Sequence, residues 1–182
     1  MELPRDLVSV ATEPFALPDG RVVAVPKATP TFTSWRGQPL PDTFGGKPAL
    51  DHAGEACFAE LLILRIFLAA GWSARWVETY GASRLRPRFL TTWSSEGLKA
   101  QAHQPISDTR VQHTLESIAV ANGGTYSGCW DVIAWQGKEI VFAESKLKGH
   151  DSLNDNQRRW FAAGIAAGLS TDSFLVVEWS AA

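Results

Sequence analysis

The chain has 182 residues, 45% hydrophobic and 20% charged, with a net charge of −2. That is enough chain and apolar content for one domain with its own core, and it excludes a disordered polymer. It also excludes a protein that holds nucleic acid by bulk positive charge, since such domains are usually clearly basic.

The N-terminus, MELPRDLVSV, has no charged stretch followed by a long apolar run, so no signal peptide is expected. The most apolar stretch, Leu61 to Ala70, carries Arg65 and is too short to span a bilayer; the expected location is the cytoplasm, with no membrane partner. Residues 1–48 hold most of the prolines. Val22 to Val25 reads as a short strand after Asp19-Gly20, and the rest as extended loop, an N-terminal extension packed on a domain formed by residues 49–182. From Leu50 to Ala70 the pattern is helical, stopped by Gly71, and Ser73 to Glu78 reads as a strand. Residues 81–106 are loop-rich and basic. A helix capped by Ser107 or Asp108 runs to Ala121, ahead of Asn122-Gly123-Gly124. Two strand-like runs follow, Cys129 to Gln136 and Glu139 to Lys146. A helix capped at Asp151 or Ser152, with Ser152 and Asp155 as a capping box, extends to Ala167, and Ser173 to Trp179 is the last strand. The order predicts an α/β domain with one mixed sheet flanked by helices. The eight Trp are spread along the chain and read as core, with base stacking by one or two as the second reading. Cys57 and Cys129 lack Cys or His neighbours at zinc-ligand spacing and read as small buried hydrophobes.

The two runs joined by Gly137-Lys138 carry the chemistry. A two-residue loop with Gly first fits a type II′ hairpin. Gln136 then faces Glu139, and counting outward Asp131 faces Glu144. Alternation puts Lys146 on the face of Glu144 and turns Ser145 away. Directly opposed Cβ atoms lie about 4.5–5.5 Å apart, and two carboxylates so close repel. Either one of them has a raised pKa or a hard divalent cation holds both. Two other polar residues sit in apolar helical patterns. Glu60 lies within ACFAELLILRIFLAA, with Glu55 as an alternative on the same expected helix, and Gln157 shares a face with Leu153, Trp160 and Phe161.

The stretch GCWDVIAWQGKEIVFAESKLKGHDSLNDNQRRW resembles the core of the PD-(D/E)XK nuclease superfamily, most closely VRR-NUC domains and next Holliday-junction resolvases. Glu60, Asp131, Glu144 with Lys146, and Gln157 match the family pattern. Trp130 stands where the family has Pro, and Ser145 where it usually has Val. The resemblance implies a restriction-endonuclease-like αβββαβ core, with the helix near 108–121 as an insertion. It implies Mg²⁺ or Mn²⁺ held by Asp131, Glu144 and the backbone carbonyl of Ser145, with Glu60 binding a second metal or orienting the water. Lys146 would stabilise developing charge, and Gln157 would position Lys146 or a phosphate. Lys148, Arg158 and Arg159 would track a nucleic-acid backbone, DNA first, and a homodimer is open. Two rivals stand beside this metal-dependent nuclease: a catalytically silent nucleic-acid-binding module on the same fold, and an interaction subunit of a larger complex.

Overall fold

The computed structural model describes residues 2–41, 43, 45–94 and 96–182, apart from the side chain of Leu98. Its centre is the hairpin of β8 (Val132–Gln136) and β9 (Glu139–Leu147). Gly137 takes φ 56° while Lys138 keeps an ordinary φ, the pattern of a type II′ turn. The ladder pairs Gln136 with Glu139 and Val132 with Ala143, the register expected from the turn. Cys129 to Asp131 approach this ladder as a bend rather than as strand.

Alternation divides the side chains of the hairpin between two cores. Val132, Ala134, Val141 and Ala143 pack on one face with Leu61, Leu64 and Phe67 of α1 (Ala59–Ala69). Ile133, Trp135, Ile140 and Phe142 pack on the other face with α2 (Thr109–Ala121) and α3 (Asp155–Ala166). One mixed sheet thus lies between α1 and the α2–α3 pair. β6 (Ser73–Glu78) runs antiparallel to β8, and β10 (Phe174–Ala181) runs parallel to β9. Among the described residues, no helix is long and apolar enough to cross a membrane.

Several expectations are corrected. The N-terminal segment is not mainly loop: it supplies β1 (Ala11–Ala16), β2 (Val22–Ala28) and β3 (Thr31–Ser34), and both β2 and β3 pair in parallel with β10. Lys27 ties them together, bonding Glu13 of β1 at 3.0 Å and Glu178 of β10 at 3.1 Å. Asp42 and Phe44 of the expected loop lie outside the described residues. The helix expected from Leu50 starts at Ala59. The residues before it form a hairpin, β4 (Leu50–His52) and β5 (Glu55–Cys57), because Ala53 and Gly54 take φ 55° and 83° at its turn. The basic stretch contains an edge strand, β7 (Arg88–Leu90), paired with β6. The cap of α3 is Asn154, not Asp151 or Ser152, and the capping box is closed by Gln157 rather than Asp155. Asp108 caps α2, accepting from the backbone N–H groups of Arg110 and Val111.

Six of the eight Trp are buried, and Trp35 and Trp93 are half-buried. Cys57 and Cys129 are buried and free.

Candidate active site

The open end of the β8–β9 hairpin brings Asp131 and Glu144 together. Asp131 N–H donates to Glu144 Oε2 at 3.2 Å, and Ser145 N–H donates to Asp131 Oδ2 at 3.0 Å. The backbone of each strand therefore holds the carboxylate of the other, and this fixes both side chains. Lys146 Nζ lies 2.8 Å from Glu144 Oε1. Ser145 points to the other face, where its Oγ accepts from Trp179 Nε1 at 3.0 Å.

α3 contributes Gln157 from its first turn. The side-chain oxygen accepts from Asn154 N–H in the capping box, and Nε2 donates to Glu144 Oε1. Both ends of one amide thus fix the start of the helix and the acid. Trp130, fully buried, donates its Nε1–H to the Gln157 carbonyl at 3.2 Å and anchors the same turn.

α1 contributes Glu60, which is 5% exposed. Its partner is not Arg65, which lies 3.5 Å from Glu55 instead. Lys47 forms the ion pair with Glu60 through Oε1, while Glu60 Oε2 is buried without a hydrogen-bond partner. Lys47 is delivered by a turn in which Gly45 and Gly46 take φ 82° and 87°, and Lys47 N–H donates to the Thr43 carbonyl at 2.9 Å. Glu55 is exposed on β5 and does not line the cavity, so Glu60 is the carboxylate that α1 offers.

Glu60, Asp131, Glu144, Ser145, Lys146 and Gln157 line one cavity of about 190 Å³, together with Lys47, Tyr80, Asp151 and Trp179. A second cavity shares Lys47, Tyr80, Asp131 and Gln157 with it and continues toward Ser127 and Asn156. Lys148, Arg158 and Arg159, the expected phosphate-tracking residues, are not among the residues lining these two cavities. Lys148 is exposed outside the cavity, the Arg158 guanidinium lies 5.1 Å from the centroid of the Phe15 ring, and Arg159 bonds Asn156 and Asn122. Reasoning from sequence missed Lys47, Tyr80 and Asp151. Lys47 sat in a Pro/Gly-rich stretch, where Gly45-Gly46 marked only a turn.

Burial pushes the Glu144 carboxyl well above the usual glutamate range, Asp131 adds to the shift, and Lys146 opposes it. Burial also raises Glu60, against the pull of Lys47. For Lys47, burial alone would lower the ammonium, but Glu60 and Asp131 outweigh it and hold the group above the ordinary lysine range.

Among the described residues, no three His, Cys, Asp or Glu side chains converge tightly enough to hold one ion as a set. The donors nonetheless suit a hard divalent cation. Glu60, Asp131, Glu144 and Asp151 line the cavity, Glu60 Oε2 is buried without a hydrogen-bond partner, and burial disfavours the charged form of Glu144. The ligands of such an ion would be the opposed pair Asp131 and Glu144. The chain matches no family model, no curated protein and no solved structure.

Proposed function

We propose that this protein is a Mg²⁺- or Mn²⁺-dependent nuclease that hydrolyses phosphodiester bonds, DNA first. The observation that carries the reading is the convergence of Asp131, Glu144, Lys146, Gln157 and Glu60, from α1, β9, α3 and the bend before β8, on one polar cavity. The succession α1, β6, β8, β9, α3, β10 has the αβββαβ order of the PD-(D/E)XK superfamily, with β7 and α2 inserted between β6 and β8. These features support a restriction-endonuclease-like core.

A divalent cation would be held by Asp131 and Glu144 and would supply Lewis acidity there. The chain's own groups do the rest. Asp131 and Glu144 are held at fixed separation by two backbone N–H groups, so they need no reorganisation to bind. Lys146 places an ammonium group beside Glu144, where it offsets charge gathering on the phosphate oxygens. Gln157 fixes the rotamer of Glu144. The two adjoining cavities share Lys47, Tyr80, Asp131 and Gln157 as lining residues.

The test incubates supercoiled plasmid and a single-stranded oligonucleotide with the full chain in Mg²⁺, Mn²⁺ or EDTA, beside Glu144→Ala and Lys146→Ala. We expect cutting with metal, none in EDTA, and a loss of 100-fold or more in each variant, roughly the scale of one electrostatic catalytic group. Equal cutting by wild type and Glu144→Ala would end the proposal. Salt-sensitive binding of nucleic acid without cutting, on branched DNA as well, would favour a silent binding module instead.

A further inference from the structure

None of the eight Trp offers an exposed ring to the two cavities. Trp76 and Trp179 line them but are only 2% and 3% exposed, and the half-buried Trp35 and Trp93 line neither. Tyr80 differs. It lines both cavities, and at 61% exposed it is the one largely exposed Phe, Tyr or Trp among the described residues. Its backbone is held from below: Glu78, 1% exposed, accepts from Tyr80 N–H and, at 3.1 Å, from Ser83 Oγ. Burying a carboxylate is costly, and this one secures the turn that carries an exposed ring. Gly81, at φ 57°, turns the chain after Tyr80, and the Arg84 carbonyl accepts from Tyr126 N–H at 2.6 Å and from Thr125 Oγ1 at 3.2 Å. The turn is thus tied down at both ends, so the ring is presented with little left to order on binding. Arg84 and Arg86 belong to the same segment, are exposed, and form no ion pair among the described residues. An aromatic face on a segment with uncommitted cations suits a base and the phosphates that flank it.

We propose that Tyr80 stacks on an unpaired base of the bound strand and so makes this site prefer single-stranded nucleic acid to duplex. This deepens the nuclease reading above and rests on it for the class of ligand. Every base has a π-face, so the contact selects no sequence. It selects against pairing, because a base within a duplex is stacked on its neighbours and must leave the helix before a protein ring can reach its face. Tyr80 and Asp131 line the same two cavities, so the stacked nucleotide lies next to the carboxylate pair. Tyr80 touches a base and not the reacting phosphate; it is a specificity residue rather than a catalytic one.

The experiment titrates the full chain, in Ca²⁺, into three fluorescein-labelled probes followed by anisotropy: a single-stranded oligonucleotide, its duplex, and an abasic strand of the same length. The same proteins are scored for cutting in Mg²⁺ and Mn²⁺. Wild type is expected to bind the single strand more tightly than the duplex. Tyr80→Ala should weaken single-strand binding about tenfold, the scale of one base–aromatic stack, and Tyr80→Phe should keep it. On the abasic strand, wild type and Tyr80→Ala should bind alike, a result that a general loss of structure would not give. Unchanged single-strand affinity in Tyr80→Ala, an equal loss on the abasic strand, the same loss in Tyr80→Phe, or a wild type that binds duplex as tightly as single strand would each overturn the proposal. So would a wild type that binds no single strand, even if it cuts duplex. A base-dependent loss in Tyr80→Ala from a wild type that cuts nothing would uphold the stack and count against the nuclease reading alone.

Discussion

Glu144 is 1% exposed and accepts from Asp131 N–H, Gln157 and Lys146. Those contacts favour the ionised form, yet burial and Asp131 outweigh them and raise its pKa above the ordinary value of 4.5. The sign follows directly. A carboxyl with a raised folded-state pKa contributes stability that is fully present below the unfolded value and is lost as pH rises through the folded value. In EDTA, wild type should therefore lose stability against Glu144→Gln as pH rises above the ordinary value of 4.5, by about 1.4 kcal/mol for each pH unit over which the unfolded chain is ionised and the folded one is not. Thermal melts of the two proteins across that range measure the difference, and Asp19 and Asp108, whose shifts run the other way, cancel in it. Saturating Mg²⁺ should reverse the slope, because an ion that needs an ionised ligand binds more tightly as protons leave. Parallel melting curves in EDTA would show that Glu144 titrates as an ordinary carboxyl. The opposition of Asp131 and Glu144 was legible in the sequence because a two-residue turn fixes register and register fixes facing pairs. The partner of Glu60 was not, because nothing local joins Lys47 to a helix that begins at Ala59.

At the level of elements, the site depends on how closely α3 approaches the bend before β8. Gly128 makes that approach possible: it takes φ 81°, and a Cβ there would lie 2.1 Å from the Asn156 carbonyl oxygen and 2.3 Å from its carbon. These are backbone atoms, which cannot swing aside. Gly128→Ala should push the first turn of α3 outward, break the bond from Trp130 Nε1 to the Gln157 carbonyl, and draw Gln157 away from Glu144. The expected loss is roughly 2–5 kcal/mol, from overpacking and the left-handed backbone together. Gly124→Ala is the matched control, since Gly124 takes φ 78° with nothing within 4 Å of its Cβ. It should lose only the backbone part, about 1–2 kcal/mol. Urea denaturation of both variants decides the matter, and equal losses would remove the close approach as the cause. The helix itself was legible from its apolar face, but its cap was displaced by two or three residues. Ser152 and Asp155 satisfy a capping box in spacing alone, whereas Asn154 and Gln157 satisfy it while Gln157 also reaches Glu144.

Across the whole molecule, the parts least legible in the sequence are those whose partners lie farthest away along the chain. Pro14 and Pro26 read as strand breakers, yet both are accommodated. β1 pairs with β2 alone, where a missing N–H is tolerated, and β2 meets β10 only at Lys27 and Ala28, beyond Pro26. The sheet is thus assembled from the two ends of the chain, and β10 is flanked by β9 on one side and by β2 and β3 on the other. A chain cut to residues 49–182 would lose the buried side chains of Leu7, Phe15, Leu17, Val25 and Phe32, along with Lys47. At about 1.5–3 kcal/mol for each large apolar side chain, those five account for roughly 8–15 kcal/mol. Domains of this kind are stable by only about 5–15 kcal/mol in total, so the remainder should not hold together. The truncated chain would also expose one side of β10 as an unpaired, largely apolar strand, which favours aggregation. We therefore expect no cooperative melt and no near-ultraviolet dichroism from residues 49–182, beside a sharp transition for the full chain. A cooperative transition in the truncated chain would instead make residues 1–48 an appendage, and the approach of Lys47 to Glu60 would then be a property of the appendage rather than of the sheet.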